Sequence, residues 1–69
     1  MSTIDVEKND KEVIRIEISP YNGKDLLHIR QWFKNEDGDL KPTQKGITVD
    51  ASKHGDILKA LETIGKEVA

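Results

Sequence analysis

The run VIRIEISPYNGKDLLHIRQWF, residues 13–33, leaves a chain like this little choice of fold. Ile14, Ile16 and Ile18 alternate with Arg15 and Glu17, the period of a half-buried strand rich in β-branched residues. Pro20 and then the pair Asn22-Gly23 separate this run from DLLHIRQWF, and Asn-Gly between two alternating runs is the strongest short-range signal for a tight hairpin. The second run sorts by parity into Leu27, Ile29, Gln31 and Phe33 on one face and Leu26, His28, Arg30 and Trp32 on the other. Both sets hold apolar or aromatic groups, so neither face reads as simply facing water. The chain must build on an antiparallel sheet.

Downstream, KNEDGD is a charged turn with Gly38 available for positive φ. LKPTQKGITV then reads as a short third strand broken near Pro42, a loop around Gly46 and a fourth strand, ITV. Proline gives no N–H to a sheet ladder and is confined to edges, strand starts and bulges. Asp50 has the character of a helix N-cap, and from Ala51 to about Val68 the residues Ile57, Leu58, Leu61, Ile64 and Val68 form one apolar stripe at helical spacing. Gly55 and Gly65 weaken that helix by roughly 1 kcal/mol each relative to alanine. Upstream, residues 1–12 are polar, charged and barely periodic, which reads as a flexible N-terminal lead before a domain spanning 13–69. The expected fold is therefore α+β, four antiparallel strands followed by one C-terminal helix (ββββα), with the helix laid across one face of the sheet.

Composition narrows the function classes. A chain of 69 residues buries only about 60% of its unfolded surface, so its core needs a supplement, and oligomerisation is the expected one. Ile57, Leu58, Leu61 and Ile64 are the expected core and dimer contacts. There is no cysteine, which excludes disulfides and thiolate metal sites and suggests a reducing compartment. His28 and His54 lack a third ligand for zinc and read as structural. No apolar run reaches the ~18 residues that cross a bilayer, and the start of the chain lacks the pattern of a signal peptide, so the expected location is the cytoplasm. The net charge of −2 has the wrong sign for a simple nucleic-acid binder. Yet Asp5, Glu7, Asp10 and Glu12 against two lysines account for the whole excess, and the rest of the chain balances nine basic against nine acidic residues. Only the arrangement of charge could make a binding face. The acidic turn Glu36, Asp37, Asp39 lacks the spacing and terminal glutamate of a calcium loop.

The stretch from Tyr21 to Asp50 resembles the single-stranded DNA-binding domain of the transcriptional coactivator PC4 (p15) and its small prokaryotic and phage-type relatives. An aromatic-x-Gly-Lys hairpin, a strand ending in Ile-Arg followed by aromatics, an acidic turn with glycine, and Lys41-Pro42-x-x-Lys45-Gly46-Ile47 occur in that order at matching spacing. The last element is the most specific. The resemblance implies a curved four-stranded antiparallel sheet with one helix, a homodimer, and binding of single-stranded DNA with little sequence preference, in a prokaryotic cytoplasm or nucleoid. Residue by residue it implies a stacking aromatic at Tyr21, basic contacts at Arg30, Lys41 and Lys45, and a second stacking aromatic at Phe33, with Trp32 taking the aromatic position just before it. Lys24 belongs to the same hairpin motif. Gln44 stands where the eukaryotic form has an arginine, which removes one positive contact, and the long serine- and acid-rich regulatory region of that form has no counterpart in the twelve-residue lead.

Physical chemistry reaches the same class without the resemblance. A proline-broken strand can aim Lys41 and Lys45 along a groove, and aromatic rings stack on unpaired bases for about 1–3 kcal/mol whatever the base. Strict alternation nevertheless sets Arg30 and Phe33 on opposite faces. Two other classes are weighed beside a single-stranded DNA binder, with RNA as a related ligand: a protein-interaction module of a transcription-regulatory complex with weak nucleic-acid affinity, and an enzyme. The last is disfavoured because no nucleophile–histidine pattern and no glycine-rich phosphate loop follows a strand. No cofactor, metal, membrane or small-molecule substrate is implied.

Overall fold

The computed structural model describes residues 2–68. Four strands, β1 (Thr3–Glu7), β2 (Glu12–Tyr21), β3 (Lys24–Lys34) and β4 (Leu40–Asp50), form one antiparallel sheet in the order β1-β2-β3-β4. A 3-10 turn, Ala51–Lys53, leads into a single helix, α1 (His54–Val68).

The central hairpin forms as its turn dictates. Asn22 (φ 50°) and Gly23 (φ 77°) both take positive φ, as a two-residue hairpin turn matched to strand twist requires, and Tyr21 pairs with Lys24 directly across it. Counting outward from that turn fixes every pair of β2 and β3, including Ile18 with Leu27, Ile16 with Ile29 and Arg15 with Arg30. The β3–β4 turn is held by Asn35, whose Oδ1 accepts from the backbone N–H groups of Asp37 (2.9 Å) and Asp39 (3.0 Å), with Gly38 at φ 85°. At the other end Asp50 caps the 3-10 turn: its Oδ1 accepts from Ser52 N–H at 2.9 Å, a bond that holds the carboxyl below its usual range.

The elements depart from the sequence reading in three places. Thr3–Glu7 is not a flexible lead; it pairs with β2 from Thr3–Glu17 to Glu7–Val13 and forms an outer strand, every residue of which stays exposed. The expected third and fourth strands are one strand, β4. An edge strand does not need the N–H that Pro42 lacks, so the ladder continues through it. A bulge absorbs the irregularity, because Arg30 pairs with Gly46 and Trp32 with Pro42, leaving three residues of β4 opposite Gln31 alone. Thr43 pins it: its Oγ1 donates to the carbonyl of Gln31 (2.7 Å) and accepts from Lys45 N–H (3.1 Å).

The third departure is the helix, which does not lie across the sheet. The C-terminal segment meets the sheet mainly where the 3-10 turn packs on β3. Leu58, Leu61, Ile64 and Val68 are 55%, 60%, 56% and 81% exposed, and only Ile57 of the stripe is half-buried. The molecule measures 39 × 37 × 19 Å, and Leu27 is the one buried hydrophobic residue among those described.

Candidate nucleic-acid interface

Register sorts the side chains of the sheet into two unlike faces. Residues paired directly across strands project to the same side, and successive residues alternate. One side carries Ile4, Val6, Ile14, Ile16, Ile18, Leu27, Ile29, Ile47 and Val49 and is aliphatic over its middle, with Glu12, Gln31, Phe33 and Lys41 at one end and Pro20 with Asp25 at the other. The other side carries Tyr21 with Lys24, then Glu17, His28 and Thr48, then Asp5, Arg15 and Arg30, then Val13 with Trp32.

The polar face is tied together by its own side chains. His28 lies between Ser19 and Thr48, with Nε2 2.7 Å from Ser19 Oγ and Nδ1 3.0 Å from Thr48 Oγ1. Arg15 donates twice to Asp5, Nε to Oδ1 at 2.8 Å and Nη2 to Oδ2 at 3.1 Å, the bidentate fork that suits a carboxylate. This pairing holds the Asp5 carboxyl below its usual range and the Arg15 guanidinium above its own. The same guanidinium covers the Trp32 ring, 4.2 Å from its centroid, a cation–π contact. Trp32 Nε1 is buried with no hydrogen-bond partner, a donor whose desolvation costs about 1–3 kcal/mol.

Of the residues singled out in the sequence, Tyr21, Lys24, Arg30 and Trp32 therefore share one face. Tyr21 is 64% exposed at the hairpin, and Arg30 and Trp32 are half-buried further along. Phe33 and Lys41 pair with one another on the aliphatic side, where Phe33 is 40% exposed. The conflict between Arg30 and Phe33 is thus real in the fold, and Trp32 is the aromatic that accompanies Arg30. Lys45 sits in the bulge, exposed, and its charge helps to keep the Glu12 carboxyl low, after the larger effect of the hydrogen bond from Asn9. The only ion pairs among the described residues are Lys8–Glu12 and Arg15–Asp5, so Lys24, Arg30, Lys41 and Lys45 carry no paired carboxylate.

Gly46 explains how Arg30 is held. A Cβ there would lie 2.5 Å from the carbonyl oxygen of Ile29 and 2.7 Å from Arg30 Cα, so only glycine lets β4 approach β3 this closely beside the bulge. Sequence reasoning missed Arg15 and Asp5. The signal for Arg15 was present, since counting outward from Asn22-Gly23 sets it opposite Arg30; the signal for Asp5 was its alternation with Ile4 and Val6.

No helix among the described residues is long and apolar enough to cross a membrane, and no group of three or more His, Cys, Asp or Glu side chains there could hold a metal ion.

Comparison with solved structures finds close likenesses. A PC4 homologue from Burkholderia pseudomallei superposes with a TM-score of 0.88 at 30% identity, over 96% of this chain and 90% of that one. MoSub1, solved as a complex with single-stranded DNA, matches with a TM-score of 0.63 at 30% identity, over 96% of this chain and 76% of that one. A bacteriophage T5 homologue of the eukaryotic coactivator PC4 shares the fold, with a TM-score of 0.77 at 20% identity over 97% of this chain and 78% of that one. Among curated proteins no match was found. The family model described as Transcriptional Coactivator p15 (PC4) matches residues 8–60, the span from the β1–β2 turn into the helix that contains the hairpin, the bulge and the capped helix start, and the chain belongs to that family.

Proposed function

We propose that the protein is a homodimer that binds single-stranded DNA with little regard to sequence. One observation carries this reading: Tyr21, Lys24, Arg30 and Trp32 lie along a single face, with both cations outside any ion pair. From Tyr21 to Trp32 the sheet runs roughly 25 Å at ~3.3 Å per residue, room for several nucleotides of an extended strand. Unpaired bases stack on the rings at either end, and Lys24 and Arg30 between them meet phosphates. Lys45, exposed in the bulge, extends the contact at the far end, and Phe33 and Lys41, which face the other side of the sheet, meet a strand where it turns over the β4 edge there. That a family relative is known in complex with single-stranded DNA supports the same assignment.

The dimer follows from what the single chain leaves uncovered. A 15-residue helix containing two glycines is marginal without packing, and α1 has almost none within its own chain. Its stripe of Leu58, Leu61 and Ile64 and the aliphatic side of the sheet are complementary in kind, and a second copy supplies both.

A fluorescence titration with oligo-dT and with a duplex of the same length tests the binding. Tighter binding of oligo-dT is expected, because stacked pairs hide base faces, and an unstructured oligo-rU arm measures whether RNA competes. Equal affinity for the duplex would contradict the stacking mechanism and favour a protein-interaction module. Light scattering at micromolar concentration should give the mass of two chains.

A further inference from the structure

The row Asp5, Arg15, Arg30, Gly46 crosses all four strands on the polar face. Two arginines, Arg15 and Arg30, are directly paired across β2 and β3 in it, a like-charge pairing that costs stability unless an anion relieves it. Asp5, on the outer strand, relieves Arg15 alone, since the pair it forms leaves Arg30 without a carboxylate. Meanwhile the Arg15 group lies on the Trp32 ring, so the guanidinium and the aromatic surface that a nucleic acid would use occupy one another.

We propose that Arg15 is a further phosphate-binding residue held in reserve by Asp5, so that β1 acts as an acidic cover over the nucleic-acid face and sets its affinity. The inference rests on the single-stranded DNA reading above. A backbone phosphate entering between Arg15 and Arg30 replaces the Asp5 carboxylate as the acceptor for Arg15 and meets Arg30 at the same time. The exchange conserves charge on Arg15, since one anion leaves as another arrives. As Arg15 turns toward the phosphate it uncovers the Trp32 ring for a base, which couples the phosphate contact to the stacking contact. Placement of the acid suits the role: β1 is only five residues long, wholly exposed and bonded to the sheet on one side only. The Asp5 carboxyl, depressed by Arg15, stays charged at neutral pH, so the cover is in place where the protein would work.

The test is a salt series of oligo-dT titrations on the full chain and on Asp5→Asn, Arg15→Gln and the double variant. Asp5→Asn should bind more tightly at every salt concentration, with a log–log salt slope steeper by up to about 0.7, the increment of one single-strand phosphate contact. Arg15→Gln should bind more weakly with a shallower slope, and adding Asp5→Asn to it should change nothing further. An Asp5→Asn gain of equal size in the Arg15→Gln background would show bulk charge removal and overturn the proposal, as would an Asp5→Asn variant that matches the unaltered chain. A second measurement needs no variant, because Trp32 is the only tryptophan. Its emission should change on binding oligo-dT as Arg15 leaves the ring, and an unchanged spectrum in a binding-competent sample overturns the proposal. If the unaltered chain shows no preference for oligo-dT over duplex, it is the single-stranded DNA reading that falls; if the preference holds and the Asp5 effect is missing, only the cover is wrong.

Discussion

The two faces of the sheet are finished to different degrees. On the polar face Ser19, His28 and Thr48 form one chain of hydrogen bonds, Asp5 and Arg15 a bidentate pair, and Trp32 a seat for that arginine. On the aliphatic face Ile4, Val6 and Ile47 remain 64%, 48% and 52% exposed, and the helix that could have covered them stands clear. A small chain has too little apolar material to cover itself twice. On the proposed reading the more internally bonded face meets the ligand, while the one left exposed is where a second copy would pack.

The largest effect should come from the unfinished side. Leu61→Asp removes an apolar side chain from the stripe and sets a charge in the contact proposed for the dimer, so on that reading it should both dissociate the protein and unfold the chain, read by light scattering and circular dichroism at matched concentration. A folded monomer would show that the helix stripe is not the interface. Gly46→Ala touches the contact between β3 and β4, where a methyl group has no room beside Ile29 and Arg30; forced overpacking of this kind costs about 1–3 kcal/mol, visible as a lowered denaturation midpoint. Tyr21→Ala belongs to the finished face and should do the opposite of Leu61→Asp. It should weaken oligo-dT binding by about 1–3 kcal/mol with no strong dependence on base identity, while melting and mass stay as they were. Lys45→Ala should reduce the salt slope by about 0.7 and leave the melting temperature nearly unchanged, because an exposed lysine contributes little to folding.

The smallest effect is one of pH. The carboxyls of Asp5 and Asp50 are both depressed in the folded state, by Arg15 and by the Ser52 N–H respectively. A depressed carboxyl stabilises fully above its unfolded value, near 3.8, and loses that contribution as pH falls through the folded one. Thermal midpoints should therefore be flat near neutrality and drop on the acid side, with a smaller drop in Asp50→Ala.

Much of this was legible in the sequence, and the reasons for the rest are physical. Asn22-Gly23 announces its turn because few residues accept two successive positive φ values, and the helix announces itself through Asp50 and the stripe from Ile57 to Val68. The stripe states that it must be covered but not by what, which is why the helix was expected on its own sheet. Pro42 and Gly46 look like interruptions because the cost of a missing N–H or side chain depends on whether the strand lies at an edge, and that is settled only by the pairing of distant residues. β1 was missed because its attachment is made of backbone hydrogen bonds, one ion pair and a Thr3–Glu17 side-chain hydrogen bond, none of which leaves a strong apolar pattern in five exposed residues. Trp32 and Phe33 could be told apart only once the register was known.

The bulge in β4 bears on what happens when many copies of this protein meet at high concentration. A regular 11-residue outer strand would offer a straight row of amide and carbonyl groups to any passing chain, the template from which cross-β fibrils grow. Pro42 removes one donor from that row, the three residues opposite Gln31 throw it out of line, and Lys41 and Lys45 add like charge along it. Replacing KPTQKG by an unbroken alternating segment would therefore give a chain still able to make its hairpin but inclined to precipitate as fibres, a failure that thioflavin binding would report before any loss of the native fold.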